Sequence, residues 1–367
     1  MVVENLRLPD CQSRATARAK SALLWGVLVF LASQGVLAYT MNRVHPEIRE
    51  PEYGHRLLRL REQKAAAPDR PLLLIVGSSR TLTGICPPSL PPWPAEAGPE
   101  PRVFNFSLLG SGPVRELMTL RRLLAAGQRP DWLLMEVWPP YWPQQGYWFD
   151  EAHIMLQDLR PEDLHIITRY FTSCRDALEK LAYETLLPIT GLRSNLLAYC
   201  AASLLSPDQR WRAERFAFWH GGEPTGWRPW LQRGTEEEFR ALIPGVKLQT
   251  KPRLDNFFIS ETTDGALRET LEECLRQHIK TALILMPEHS ELRSWYSPAV
   301  RNQVRTYLDH LHSEYQVPIF DTREWVADDA FQDLTHMAPP AAPLFTRRLG
   351  HELLWPWLTK RSDKVEK

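Results

Sequence analysis

Five apolar residues, LLLIV at 72–76, run directly into the small-residue turn GSSRT at 77–81. A run this short and this continuous reads as a strand buried on both faces, because strands covered by helices on each side lose the polar alternation of a half-exposed sheet. Runs of the same kind recur as DWLLMEVW at 131–138, TALILMP at 281–287 and VPIFD at 317–321, with RVFNFSLLGSG at 102–112 as a shorter strand ending in a glycine turn. Helical patterns lie between them. In PVRELMTLRRLLAAG, Pro113 opens a helix, Leu117, Leu120 and Leu124 form its stripe, and Gly127 ends it. Further helices are expected at 265–279, 298–314 and 344–358. The order β-β-α-β, an interruption, then α-β-α-β-α predicts an α/β fold: a three-layer, doubly wound parallel sheet.

The interruption, 141–255, is rich in Trp, Tyr and Arg, with helical stretches near 160–188 and 191–218. It reads as a helical, aromatic-rich insertion placed on the sheet. Fourteen tryptophans and 31 prolines, several in the loop ICPPSLPPWPAEAGPEP, point to long ordered loops lined by aromatics rather than to disorder. Lysine plus arginine equal aspartate plus glutamate at 44 each, so nothing implies a polyanion, and nucleic acid is not an expected partner. The five cysteines form no CxxC or Cys/His cluster, which leaves no zinc site. Whether Cys86, Cys174, Cys200 and Cys274 pair is not decided by their spacing.

One segment calls for a different solvent. Ala22 to Tyr39 gives 18 mostly apolar residues without a charge, enough to reach across a bilayer core of about 30 Å. Arg14, Arg18 and Lys20 precede it and favour a cytoplasmic N-terminus; Arg43, Arg49 and Arg56 follow and weaken that bias. A cleaved signal, with LAY as a poor cleavage site, and a buried core helix are the competing readings. The expected plan is a cytoplasmic 1–20 carrying Cys11, a membrane anchor or signal at 21–40 in contact with lipid, and a polar stalk or first surface helix at 41–70. The α/β domain follows in two halves, 71–140 and 261–360, divided by the insertion at 141–260 and facing the exoplasmic side.

Ligands of an open parallel sheet gather at the carboxyl ends of its strands. Ser78 and Ser79 end the first strand, Gly110 the second, MPEHS (286–290) the fourth, and FQDLTHM (331–337) follows the fifth. In that last stretch Asp333 and His336 are separated by two residues. A turn with that spacing lets the carboxylate accept from one imidazole nitrogen and frees the other to take a proton from a serine. Serine needs such a base at neutral pH. Backbone N–H groups of Ser79 and Gly110 are then placed to receive an oxyanion. The same residues have plainer uses: Ser78 and Ser79 as a helix N-cap, Asp333 as a turn cap, His336 as a surface residue, Gly110 as a turn glycine. Arg80 reads as a solvated helix residue or a holder of an anionic substrate group. Glu288 and His289 lie on the same rim. Trp138, Tyr141, Trp142, Tyr147 and Trp148 either stack on sugar rings or form the buried base of the insertion.

These blocks, in this order, resemble the SGNH (GDSL-like) hydrolase superfamily. VGSSRT is similar to its first block, with Ser78 in place of the usual aspartate and Ser79 matching the nucleophile. VFNFSLLG is similar to the second, where Gly110 matches the oxyanion glycine, and FQDLTHM to the closing Asp-x-x-His block. The GSSR form, the anchor and the long insertion look most like the membrane-anchored branch, which includes proteins related to DltD and the alginate O-acetylation proteins. The resemblance covers roughly 70–140 and 280–358. It implies a flavodoxin-like sheet and serine esterase or O-acyltransferase chemistry by a Ser79–His336–Asp333 acyl-enzyme, without metal or organic cofactor. It also implies an acylated cell-envelope polysaccharide as substrate and a membrane-bound acyl donor protein as partner. Arg80, Trp138, Tyr141, Glu288 and His289 are the expected substrate contacts. One departure stands out: the third block ordinarily supplies an oxyanion asparagine, and PDWLLMEVWPPYW has Trp138, Pro139, Pro140 and Tyr141 there instead. That departure leaves room for a catalytically silent scaffold.

Overall fold

The computed structural model describes residues 11–229 and 234–359. The expected cytoplasmic segment therefore lies outside the described residues as far as position 10. At the centre stand β1 (Leu72–Val76), β2 (Arg102–Asn105), β3 (Trp132–Glu136), β4 (Lys280–Leu285) and β5 (Ile319–Asp321) in one sheet of order β2-β1-β3-β4-β5. All four pairings are parallel, with Leu74 opposite Phe104 and Leu133, and Leu283 opposite Met135 and Ile319. The order reverses between β1 and β3, and right-handed crossovers on either side of such a switch carry their helices to opposite faces. Every residue of β1 is buried, which is the physical reason its sequence shows no alternation.

The helix after β2 begins and ends where its caps predict, and those expected at 265–279 and 298–314 are Glu261–Arg276 and Pro298–Tyr315. Pro113 takes the first turn of Pro113–Ala125, and Gly127 follows with φ of +71°. The final expected helix is Ala341–Leu349, continued through a wider turn into Trp355–Thr359. Apolar packing on the sheet is continuous, running from Tyr53 and Leu57 through the strands to Val304, Phe345 and Leu354.

Residues 41–70 are not a stalk. Helix Pro51–Ala66 lies in the core, with Tyr53, Leu57 and Leu60 at 0–1% exposure. Charges in its first turns and just before it mislead because they are buried on backbone acceptors and partner charges. Arg56 donates to the carbonyls of Asn105 (2.8 Å) and Gly226 (2.6 Å), and Arg49 to those of Gln157 (3.1 Å) and Leu159 (3.0 Å). Glu50 meets Arg122 at 2.8 Å, and Arg122 also meets Asp163 at 2.6 Å. This buried network joins the segment before the sheet, the helix after β2 and the start of the insertion.

The insertion is helical, but its two expected stretches are broken into shorter helices, among them Leu164–Tyr170, Cys174–Leu186, Pro188–Gly191, Arg193–Cys200 and Trp211–His220. It meets the edge strand β2, the helix after β1 and the rim beyond β4. Asn105 N donates to Thr225 O (2.8 Å), the Trp227 indole donates to Thr83 O (2.8 Å), and Phe239 of helix Glu236–Asp255 lies 5.4 Å from the His289 ring.

Before the domain comes helix Cys11–Tyr39. With its wider-turn continuation Thr40–Val44, the stretch Arg18–Val44 is 27 residues long, with a mean hydropathy of 1.8 and almost no burial, so it is long and apolar enough to cross a membrane. Leu23 and Leu24 are 71% and 59% exposed, which rules out a core helix. Cys86, Cys174, Cys200 and Cys274 are free thiols.

Candidate active site

At the end of β1 the chain passes very close to β3. A Cβ on Gly77 would lie 2.5 Å from Thr81 Oγ1 and 2.6 Å from Glu136 Cβ, so glycine alone fits. The two serines that follow divide their roles. Ser78, in extended conformation, caps helix Ser79–Gly84 by accepting from Arg80 N at 3.2 Å. Its own N–H and hydroxyl donate to Glu136 Oε2 at 2.7 and 2.8 Å, so its hydroxyl is committed. The Thr81 hydroxyl donates to the same oxygen. Ser79 opens the helix, so its N–H has no helical carbonyl to bond.

The opposite wall is the loop after β5. Phe331 and Met337 pair across it, Gln332 N donates to His336 O (3.0 Å), and Phe331, Leu334 and Met337 bury their side chains and pin it. Asp333 Oδ1 accepts from Thr335 N (2.6 Å), Thr335 Oγ1 (2.8 Å) and His336 N (2.7 Å). Asp333 Oδ2 lies 2.8 Å from His336 Nδ1, and His336 Nε2 lies 2.8 Å from Ser79 Oγ. Burial by itself pushes the Asp333 carboxyl up, but the imidazole and the backbone donors outweigh it and hold the group well below the usual carboxylate range. An ionised carboxylate only accepts, so Nδ1 carries the proton and Nε2 is left to accept from the Ser79 hydroxyl. A serine so placed loses its proton as it attacks an electrophile.

Beneath this pair lies Arg80, expected at the surface and found 3% exposed. Its guanidinium reaches Glu136 Oε1 (3.2 Å) at the end of β3, the carbonyls of Met286 and Pro287 (both 3.0 Å) beyond β4, and Thr335 O (3.3 Å) in the histidine loop. Glu288 lies 3.7 Å away and the Trp138 ring 4.9 Å away. Glu288 is 1% exposed, and its Oε1 accepts from the Trp138 indole (3.0 Å) and the Tyr296 hydroxyl (2.9 Å). Trp138 and Tyr141 pack edge to face at 4.9 Å, both nearly buried, and Trp142 is fully buried. Arg80, Trp138, Tyr141 and Glu288 are therefore the floor of the site, not its substrate contacts. Burial on the sheet edge leaves them no open face. Trp148 is exposed, and the Tyr147 side chain lies outside the described ones. His289 is partly exposed; its Nδ1 caps the next short helix by accepting from Glu291 N (3.1 Å).

The expected oxyanion amides sit on adjoining segments. Leu108 N donates to Gly77 O (2.9 Å), which lays the segment after β2 along the Gly77–Ser79 turn. Gly110 has φ of +65°, and the His153 ring sits where its Cβ would be. His153 Nδ1 lies 2.7 Å from Phe149 O and so carries the proton, which leaves Nε2 an acceptor in the neutral ring. Among the described residues, no group of three His, Cys, Asp or Glu side chains is placed to hold a metal ion.

The sequence reading assigns no role to Glu136, Thr335 or His153. Glu136 had a signal: an acid closing an apolar strand at its carboxyl edge. Thr335 and His153 had none, because each acts through a neighbour distant in sequence or through its own loop geometry. In comparisons with known proteins, the chain matches no protein-family model and no curated protein.

Proposed function

We propose that this protein is a serine esterase or O-acyltransferase of the SGNH type, held in a membrane by helix Cys11–Tyr39 with its α/β domain on the exoplasmic side. The observation that carries the reading is the hydrogen-bonded chain Ser79–His336–Asp333, 2.8 Å at each step, formed by groups 257 residues apart in sequence at its first link. Ser79 Oγ attacks the acyl carbonyl while His336 Nε2 takes its proton. The proton then passes to the departing alcohol, leaving the acyl group on Ser79. Water or a sugar hydroxyl, deprotonated by the same nitrogen, attacks that ester and restores the serine. The Ser79 and Gly110 amides stabilise the oxyanion in both steps. An acylated cell-envelope polysaccharide, fed by a membrane-bound donor protein, is the substrate class that suits the anchor.

One observation favours a second reading, a silent scaffold in an envelope-modifying complex. The third-block asparagine is replaced by Trp138, and losing one oxyanion donor costs roughly 10²–10³ in rate. A fluorophosphonate probe applied to the detergent-solubilised full chain separates the two. Labelling of the wild type that disappears in Ser79→Ala supports the enzyme; a folded wild type that does not label supports the scaffold.

A further inference from the structure

We propose that the corner between helices Cys174–Leu186 and Pro188–Gly191 dips into the bilayer beside the N-terminal helix, so that the insertion sits on lipid through its own apolar tip. This rests on the reading of that helix as a membrane anchor.

The first observation is one of level. Gln34 follows Ser33 as a polar interruption in the second half of the apolar stretch, and it is only 6% exposed while Leu31 and Val36 are 49% and 67% exposed. Its Oε1 accepts from Ile189 N at 3.3 Å. Gln34 lies five residues before Tyr39, about 7.5 Å along a helix axis. The apolar stretch Ala22–Tyr39 spans about 27 Å against a hydrocarbon core of about 30 Å, which gives it little freedom to slide. Ile189 is thus held several ångströms inside the end of the spanning stretch. The next helix clears it: the Tyr199 hydroxyl meets His45 Nδ1 at 3.3 Å, six residues beyond Tyr39.

The second observation is that, Gly191 N apart, the N–H groups of the corner from Leu187 to Leu192 are taken, as suits chain in contact with lipid. Leu187 N donates to Tyr183 O (2.8 Å), Pro188 has no N–H, Ile189 N is taken by Gln34, Thr190 N donates to Leu187 O (3.1 Å) and Leu192 N to Pro188 O (3.0 Å). The Thr190 hydroxyl also returns to Leu187 O at 2.7 Å.

The third is the character of the tip. Leu186 is 64% exposed and Tyr183, one turn earlier on the same helix, 45%. Between Leu181 and Asn195 the sole acid is Glu184, which is fully buried and paired with Lys180 at 2.7 Å. Arg193 is exposed just beyond. An exposed leucine with a tyrosine and cations flanking it and no free acid matches a segment lying at the boundary of headgroups and acyl chains, buried about 5–10 Å.

The test uses the full chain in phosphatidylethanolamine–phosphatidylglycerol vesicles, with Cys11, Cys174 and Cys200 replaced by serine. Spin labels are placed singly through Leu28→Cys, Leu186→Cys or Tyr199→Cys, and their collisions with oxygen and with a water-soluble nickel chelate are compared. The expected result is oxygen-dominated collision at Leu28 and Leu186, the latter near the acyl boundary, and nickel-dominated collision at Tyr199. Nickel access at Leu186 equal to that at Tyr199, with Leu28 still deep, overturns the inference and leaves the anchor standing. A Leu186 label shielded from both reagents means a protein covers the corner, and also overturns it. Nickel access at Leu28 refutes the anchor itself and the inference with it.

Discussion

Arg80 is the side chain on which the alignment of the site turns, and Arg80→Met removes it at nearly constant length. The guanidinium gives four hydrogen bonds, to Glu136, Met286, Pro287 and Thr335, from a position 3% exposed. Without it, the ion contacts to Glu136 and Glu288 are lost in a buried place, and breaking a buried pair from one side costs about 3–5 kcal/mol. Glu136 keeps its bonds from Ser78 and Thr81, and Glu288 those from Trp138 and Tyr296, so the fold survives with a melting temperature lower by on the order of 10 °C. The histidine loop loses its tie to the nucleophile helix through Thr335 O. A displacement of about 1 Å between Ser79 and His336 is worth about 10²-fold in rate. The assay is fluorophosphonate labelling kinetics, measured well below the melting transition of both proteins. Arg80→Lys restores part of the stability, because it returns the charge, but not the rate, because one ammonium cannot reach acceptors on three strand ends. If Arg80→Met labels within threefold of wild type, or Arg80→Lys recovers stability and rate together, the guanidinium is not what aligns the pair.

Asp333→Asn keeps the oxygen that Thr335 N and His336 N donate to, and so turns its amide N–H toward His336 Nδ1. The imidazole then carries its proton on Nε2, and labelling of Ser79 falls by about 10⁴-fold; a loss under tenfold contradicts the assigned tautomer. Glu116 is buried, its Oε2 has no hydrogen-bond partner, and burial, then the charges of Glu136 and Asp150, push its carboxyl well above the ordinary range. A carboxyl raised on folding contributes stability at pH below its unfolded value that is lost as pH rises toward the folded one, at up to about 1.4 kcal/mol per pH unit. Glu116→Gln should therefore unfold at higher denaturant than wild type at pH 8 and match it near pH 4; destabilisation at both pH values refutes the neutral-carboxyl account.

Much of the sheet was legible because burial on both faces writes itself as unbroken apolar runs: LLLIV and TALIL sit in the sheet where those runs place them. The helix after β2 was legible from Pro113 and Gly127. Helix Pro51–Ala66 was legible as a helix but not as a buried one, since EYGHRLLRLREQKAA has the charge of a solvated surface. Its Arg56 is buried on two carbonyls supplied by residues about 50 and 170 positions away, which no local pattern records. The insertion was legible as helical but not in its breaks, of which Pro188 marks one at the start of Pro188–Gly191. In the site, Ser79, Asp333 and His336 were found because residue type, spacing and strand-end position agree. For Trp138 and Tyr141 the buried-base reading holds over the sugar-stacking one, while Arg80 and Glu288 were misplaced, because polar and aromatic residues at a strand's carboxyl edge look alike whether they face a ligand or one another. Only the distances to Glu136 and Tyr296 tell the cases apart.

The most direct measurement is acyl capture. The full chain is mixed with p-nitrophenyl acetate, quenched in acid within the turnover time, and the tryptic peptide spanning 65–80, which holds both serines, is sequenced by mass spectrometry. The account predicts an acetyl group on Ser79, absent from Ser78 and lost in His336→Ala. Acetyl on Ser78, or on Ser79 to the same extent without His336, would contradict it.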